Sequence, residues 1–112
     1  MSDYTLDTLL DLNGTEYTME NGWWIKIEAK RIKVANEHKP YGIKYSLTLH
    51  DKNGTRLLGF DNAHLVPGAR QDEPHDHLHK GERIIRYDYQ NAAQLLTDFY
   101  DEVDKLRARL DT

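Results

Sequence analysis

The chain has 112 residues, no cysteine and a formal net charge of −4. That length fits one domain over residues 1–112 with one hydrophobic core. The missing thiols exclude disulfides and thiolate metal sites. The acidic balance weighs against a DNA-binding module, which needs a basic footprint, and 38% hydrophobic content excludes wholesale disorder.

The first predicted element is a short helix over residues 3–12, where Leu6, Leu9 and Leu10 recur at helical spacing. Asp3 is its candidate cap, and Asn13–Gly14 ends it. This acidic N-terminus lacks the basic-then-apolar layout of a signal peptide. No apolar run is long enough to span a bilayer. A cytoplasmic protein without membrane contact is therefore expected.

"ENGWW" at residues 20–24 reads as a turn feeding a strand. Trp23, Ile25, Ile27 and Ala29 then alternate with Trp24, Lys26, Glu28 and Lys30, the pattern of a strand with one wet face. After Ala29 the apolar parity shifts to Ile32 and Val34, so a bulge or the end of pairing is expected near Lys30–Arg31. The cluster Lys26, Lys30, Arg31 and Lys33 reads as a charged solvent face before it reads as a nucleic-acid patch. "ANEHKPYG" is a loop broken by Pro40 and Gly42, and His38 within it carries no assigned role.

The strongest local signal is a hairpin. "IKYSLTLH" alternates, "DKNG" turns, and "TRLLGF" returns. A two-residue Asn53–Gly54 turn sets Leu49 against Leu58 and Leu47 against Phe60. A three-residue loop with a bulge at Gly54 sets Leu49 against Leu57 instead. The first register is preferred because it matches the two apolar faces. His50, on the polar face at a strand end, reads as solvated.

A long connection follows over residues 61–81, of the kind that often carries function. "ERIIRYDY" is a further strand, with Ile85, Tyr87 and Tyr89 on one face and Ile84 suggesting cover on the other. Ala92, Leu95, Leu96, Phe99, Val103, Leu106 and Leu110 define a C-terminal amphipathic helix. Asn91 is its candidate N-cap. The expected fold class is α+β: an antiparallel β-meander of four to five strands with a long C-terminal helix packed on one face and a short N-terminal helix.

The chemistry concentrates in "EPHDHLHKGER". In an extended chain His75, His77 and His79 share one face, which is a three-imidazole metal pattern. Pro74 and Gly81 work against that strand. Two histidines can alternatively serve as general acid and base near neutral pH. Asp76 or Asp61 would then orient an imidazole, and a cation such as Arg83 or Arg86 would steady an anion. A polar connection that happens to be rich in histidine is the remaining reading. No Walker loop and no nucleophile elbow occurs.

"GWWIKIEAKRI", "GIKYSLTLHDKNGTRLLGFDNAH", a D-H-x-H motif and "YDYQNAAQLLTDFYDEVDKL" follow one another in that order. The order resembles the TumE family of toxins over nearly the whole chain. The resemblance implies one TumE-like domain and the toxin component of a type II toxin–antitoxin system. Its implied partner is a helix-turn-helix antitoxin, and a homodimer is left open. D-H-x-H falls on Asp76, His77 and His79, with Leu78 where the family often has a basic residue. The family's "DNAH" segment falls on Asp61, Asn62 and His64.

The expected function is action on RNA or translation through histidine acid–base chemistry. If enzymatic, the protein would be a metal-independent hydrolase of the endoribonuclease type, with no cofactor. The expected site is Asp76, His77, His79, Asp61, Asn62, His64 and Arg86. Two alternatives stand beside it. One is a non-catalytic protein-binding module using Trp23 or Trp24 and Tyr100. The other is a metal-dependent hydrolase using His75, His77 and His79.

Overall fold

The computed structural model describes residues 4–33, 42–62 and 76–110. Eight elements follow in order: α1 (Tyr4–Asp11), β1 (Thr15–Thr18), β2 (Trp24–Arg31), β3 (Ile43–His50), β4 (Arg56–Asp61), β5 (His77–Lys80), β6 (Arg83–Arg86) and α2 (Ala92–Leu110). The strands form one antiparallel six-stranded meander in chain order.

The α+β class, the meander and both helices are as the sequence predicts. Among the described residues the strand number is six rather than four to five. β1 adds one: "TEYT" is largely exposed and has no apolar alternation to announce it. β5 adds another, inside the segment read as a connection. Gly81, at φ 58°, makes the tight β5–β6 turn rather than breaking β5.

The period of two assigns each strand's faces. Ile25, Ile27, Ala29, Tyr45, Leu47, Leu49, Leu58, Phe60 and Leu78 all lie in one buried core with Leu9 of α1 and Leu95, Phe99 and Val103 of α2. Both helices therefore cover the same face. Each fully buried Leu, Ile or Phe contributes about 1.5–3 kcal/mol relative to an exposed one. At the start of α2 the Asn91 carboxamide oxygen accepts the Gln94 N–H at 2.8 Å, the expected N-cap. The Lys80–Glu102 ion pair, 3.0 Å, ties α2 to β5.

The β3–β4 hairpin combines features of both predicted registers. Asp51 N–H donates to the Thr55 carbonyl at 2.9 Å, which closes a three-residue loop with Gly54 at φ 89°. An irregularity between Leu49 and His50 then absorbs one residue and restores Leu49↔Leu58 and Leu47↔Phe60. Packing thus fixes the apolar register while the turn keeps its bulge. Pairing of β2 with β3 ends at Arg31↔Ile43 without a bulge.

Three exposure expectations change. Ile84 is 48% exposed, because β6 is an edge strand and Ile84 points away from the helices. Trp23 is 8% exposed and belongs to the core, so it offers no surface contact. Trp24 is half-buried and stacks on His50 at 3.9 Å, and His50 Nε2 lies 2.9 Å from Thr48 Oγ1. His50 is therefore packed rather than solvated. Tyr100 shares a 3.0 Å hydrogen bond with Tyr17.

Candidate functional site

The sheet's second face, away from the helices, carries the chemistry. Register aligns Glu28, Ser46, Asp61, His77 and Arg86 in one row across β2 to β6. His79, two residues past His77, presents its ring on that same face. It pairs with Gly59, over which the Arg56 and Thr48 side chains pack.

Asp61 gathers the two imidazoles. Its Oδ1 lies 3.2 Å from His77 Nε2, and its Oδ2 lies 3.8 Å from His79 Nε2. The two rings meet edge to face at 4.6 Å. Asp61 is 4% exposed and His77 3%, whereas the His79 side chain keeps 15%. The three ligand-capable atoms all lie within 4.8 Å of one another. The arrangement can do two things chemically. The carboxylate can fix imidazole tautomers for proton transfer, or the three groups can coordinate one cation.

Asp76 stands on the opposite face. Tyr45 donates its hydroxyl to Asp76 Oδ2 at 2.7 Å in the core. Burial first, and the neighbouring Asp76 carboxylate second, raise the Tyr45 pKa well above the ordinary tyrosine value. Asp76 thus anchors the start of β5 under the helices, while Asp61 takes the place beside the imidazoles. Leu78 also faces the core, at 9% exposure, so a basic residue there would project towards the helices.

Asn62 holds the frame. Its carboxamide oxygen accepts the Tyr45 N–H at 3.0 Å and its Nδ2 donates to the Ile43 carbonyl at 2.9 Å. The side chain thereby extends the β3–β4 ladder beyond Asp61 and fixes where that carboxylate sits. Arg86 is exposed and is the Cα partner of His77. His64 and His75, both named by the sequence reading, lie outside the described residues, as does His38.

Of the residues on Asp61's other flank, sequence reasoning singled out only Lys30, within a charged strand face. Glu28, Lys30, Lys44, Ser46 and Asp61 line a cleft of about 290 Å³. Lys30 and Lys44 are exposed Cα partners on β2 and β3. Like charges placed opposite each other destabilise a sheet. The signal was their shared wet parity, which becomes informative only once β2, β3 and β4 are registered.

A small antiparallel sheet with helices on one face and an Asp–His–His cluster on the other defines an α+β protein with a polar centre among the described residues. Residues 13–107 match the family described as toxin TumE, and the chain belongs to that family. The family is one of toxins, which supports a toxin function and suggests an antitoxin partner. No curated protein and no solved structure matches the chain. No helix among the described residues is long and apolar enough to cross a membrane.

Proposed function

We propose that this protein is the toxin of a type II toxin–antitoxin pair and cleaves RNA in the cytoplasm by histidine acid–base chemistry. A helix-turn-helix antitoxin neutralises it. The observation that carries this reading is the Asp61 carboxylate set 3.2 Å and 3.8 Å from the Nε2 atoms of His77 and His79.

The chemistry follows from what RNA cleavage requires. A general base takes the proton of a 2′-hydroxyl, whose oxygen attacks the adjacent phosphorus. A general acid gives a proton to the departing 5′-oxygen. Imidazole suits both tasks near neutral pH. His79, the more exposed ring, meets the substrate first. His77 sits behind it with Nε2 against Asp61, whose carboxylate can fix the tautomer of the ring. Cations must balance the phosphorane charge. Arg86 flanks His77 on β6, and Lys30 and Lys44 border the cleft on Asp61's other side.

Expression without the antitoxin is expected to arrest growth. The His77→Ala, His79→Ala double variant should relieve the arrest while keeping the wild-type circular dichroism spectrum. A folded double variant that is as toxic as wild type overturns the assignment.

A further inference from the structure

We propose that Asp61, His77 and His79 form a binding site for one divalent first-row transition ion, with zinc the best fit. The donor set is two imidazoles and one carboxylate, a combination that holds zinc and related ions while leaving coordination positions open.

Zinc–nitrogen and zinc–oxygen bonds of about 2.0–2.1 Å in a tetrahedron separate neighbouring ligand atoms by about 3.4 Å. Asp61 Oδ1 lies 3.2 Å from His77 Nε2 and Oδ2 lies 3.8 Å from His79 Nε2, so the carboxylate offers one oxygen to each ring at close to that spacing. The longer separation exceeds hydrogen-bonding range between those two atoms, yet it suits two ligands of one ion. All three donors fall within 4.8 Å of one another.

The ligands are also held in place before any ion arrives. His77 and His79 share a face because they are alternate residues of β5. Asp61 joins them through the β4–β5 register. The residues next to two of the ligands are pinned as well. Asn62 is bonded into β3, and Asp76 is bonded to Tyr45. Supporting contacts of this kind orient metal ligands and sharpen affinity.

Asp61 and His77 are shielded from bulk water, while Asp61 also borders the 290 Å³ cleft. An ion held by three protein ligands keeps an open position that this cleft can fill with water or an anion.

One consequence rests on the proton-transfer reading above. A coordinated imidazole has no free lone pair, since Nε2 is on the metal and Nδ1 carries the proton. Ion binding and acid–base cleavage are then mutually exclusive, and zinc acts as an inhibitor of the toxin.

The experiment uses tag-free, chelator-dialysed full-length protein titrated with cobalt(II) as the spectroscopic probe. One equivalent should produce visible ligand-field bands that zinc displaces. Asp61→Asn and His79→Gln, each checked for native circular dichroism, should weaken binding at least about tenfold. Absence of a spectrum at stoichiometric cobalt overturns the site, as does binding unchanged in both folded variants. RNA cleavage by the same samples separates the two readings. Cobalt binding with histidine variants that remain toxic keeps the ion site and sinks the acid–base function. Histidine-dependent cleavage without cobalt binding does the reverse.

Discussion

Asp61 and His77 are Cα partners on β4 and β5, and their side chains meet at 3.2 Å on the face that the helices leave uncovered. Neither belongs to the apolar core, yet both are nearly inaccessible. Placing a carboxylate and an imidazole together out of water is expensive unless each satisfies the other. The pairing therefore marks a built centre rather than incidental surface polarity.

Tyr45→Phe removes the hydroxyl that Asp76 accepts at 2.7 Å without altering the ring. Depriving a buried carboxylate of this donor is expected to cost about 1–3 kcal/mol. Urea unfolding should show a lower midpoint at unchanged slope. Because Asp76 precedes His77, the same variant should also loosen the start of β5, read as faster amide exchange there.

Alkaline pH should unfold the protein through Tyr45, which is buried, and Tyr87, which is half-buried. Burial chiefly raises the pKa values of Tyr45 and Tyr87, with Asp76 and Asp98 respectively adding to the effect. Their folded-state values lie above the unfolded one near 10. Their stabilisation is thus complete below about pH 10 and is lost as the pH rises further. Urea midpoints should stay level with respect to these groups up to that point and fall above it. The tyrosinate absorbance of these two side chains should appear together with unfolding.

Gly54→Ala tests the hairpin turn. Gly54 has φ 89° and open space around a would-be Cβ, so any penalty comes from backbone strain and not from a clash. A loss of about 1 kcal/mol is expected, measured by thermal or urea unfolding. The cluster on β4 and β5 lies beyond the turn, so toxicity should persist.

Lys30→Ala combined with Lys44→Ala removes the paired cations at the cleft. Relief of like-charge repulsion should leave stability equal or slightly raised. Affinity for single-stranded RNA should fall, and the slope of log affinity against log salt should shrink by about 1.4 units for two lost phosphate contacts. Filter binding at several salt concentrations measures both.

Local patterns carried much of the fold. The alternation of β2 and β3, the stripe of α2 and the Asn91 cap were legible because each depends on residues close in sequence. β5 was obscured because Pro74 and Gly81 bracket it, although Gly81 serves as its turn. The face assignment within D-H-x-H was open to inspection: adjacent strand residues point in opposite directions, so Asp76 cannot share a face with His77. The Asp61–His77 meeting was not legible, since it depends on the register of two strands separated by residues 62–76. Asn62 looked chemical in sequence, and its bonds to β3 give it a scaffolding role.

Asp61→Asn tests the central claim most directly, because it keeps the side chain's size and removes the charge that gathers His77 and His79. Growth after expression without the antitoxin should be restored in proportion to a loss of about 10²–10⁴-fold in RNA cleavage, the usual worth of a positioned acid–base group. Circular dichroism should remain native. A folded Asp61→Asn protein that arrests growth and cleaves RNA like the wild type would contradict the account.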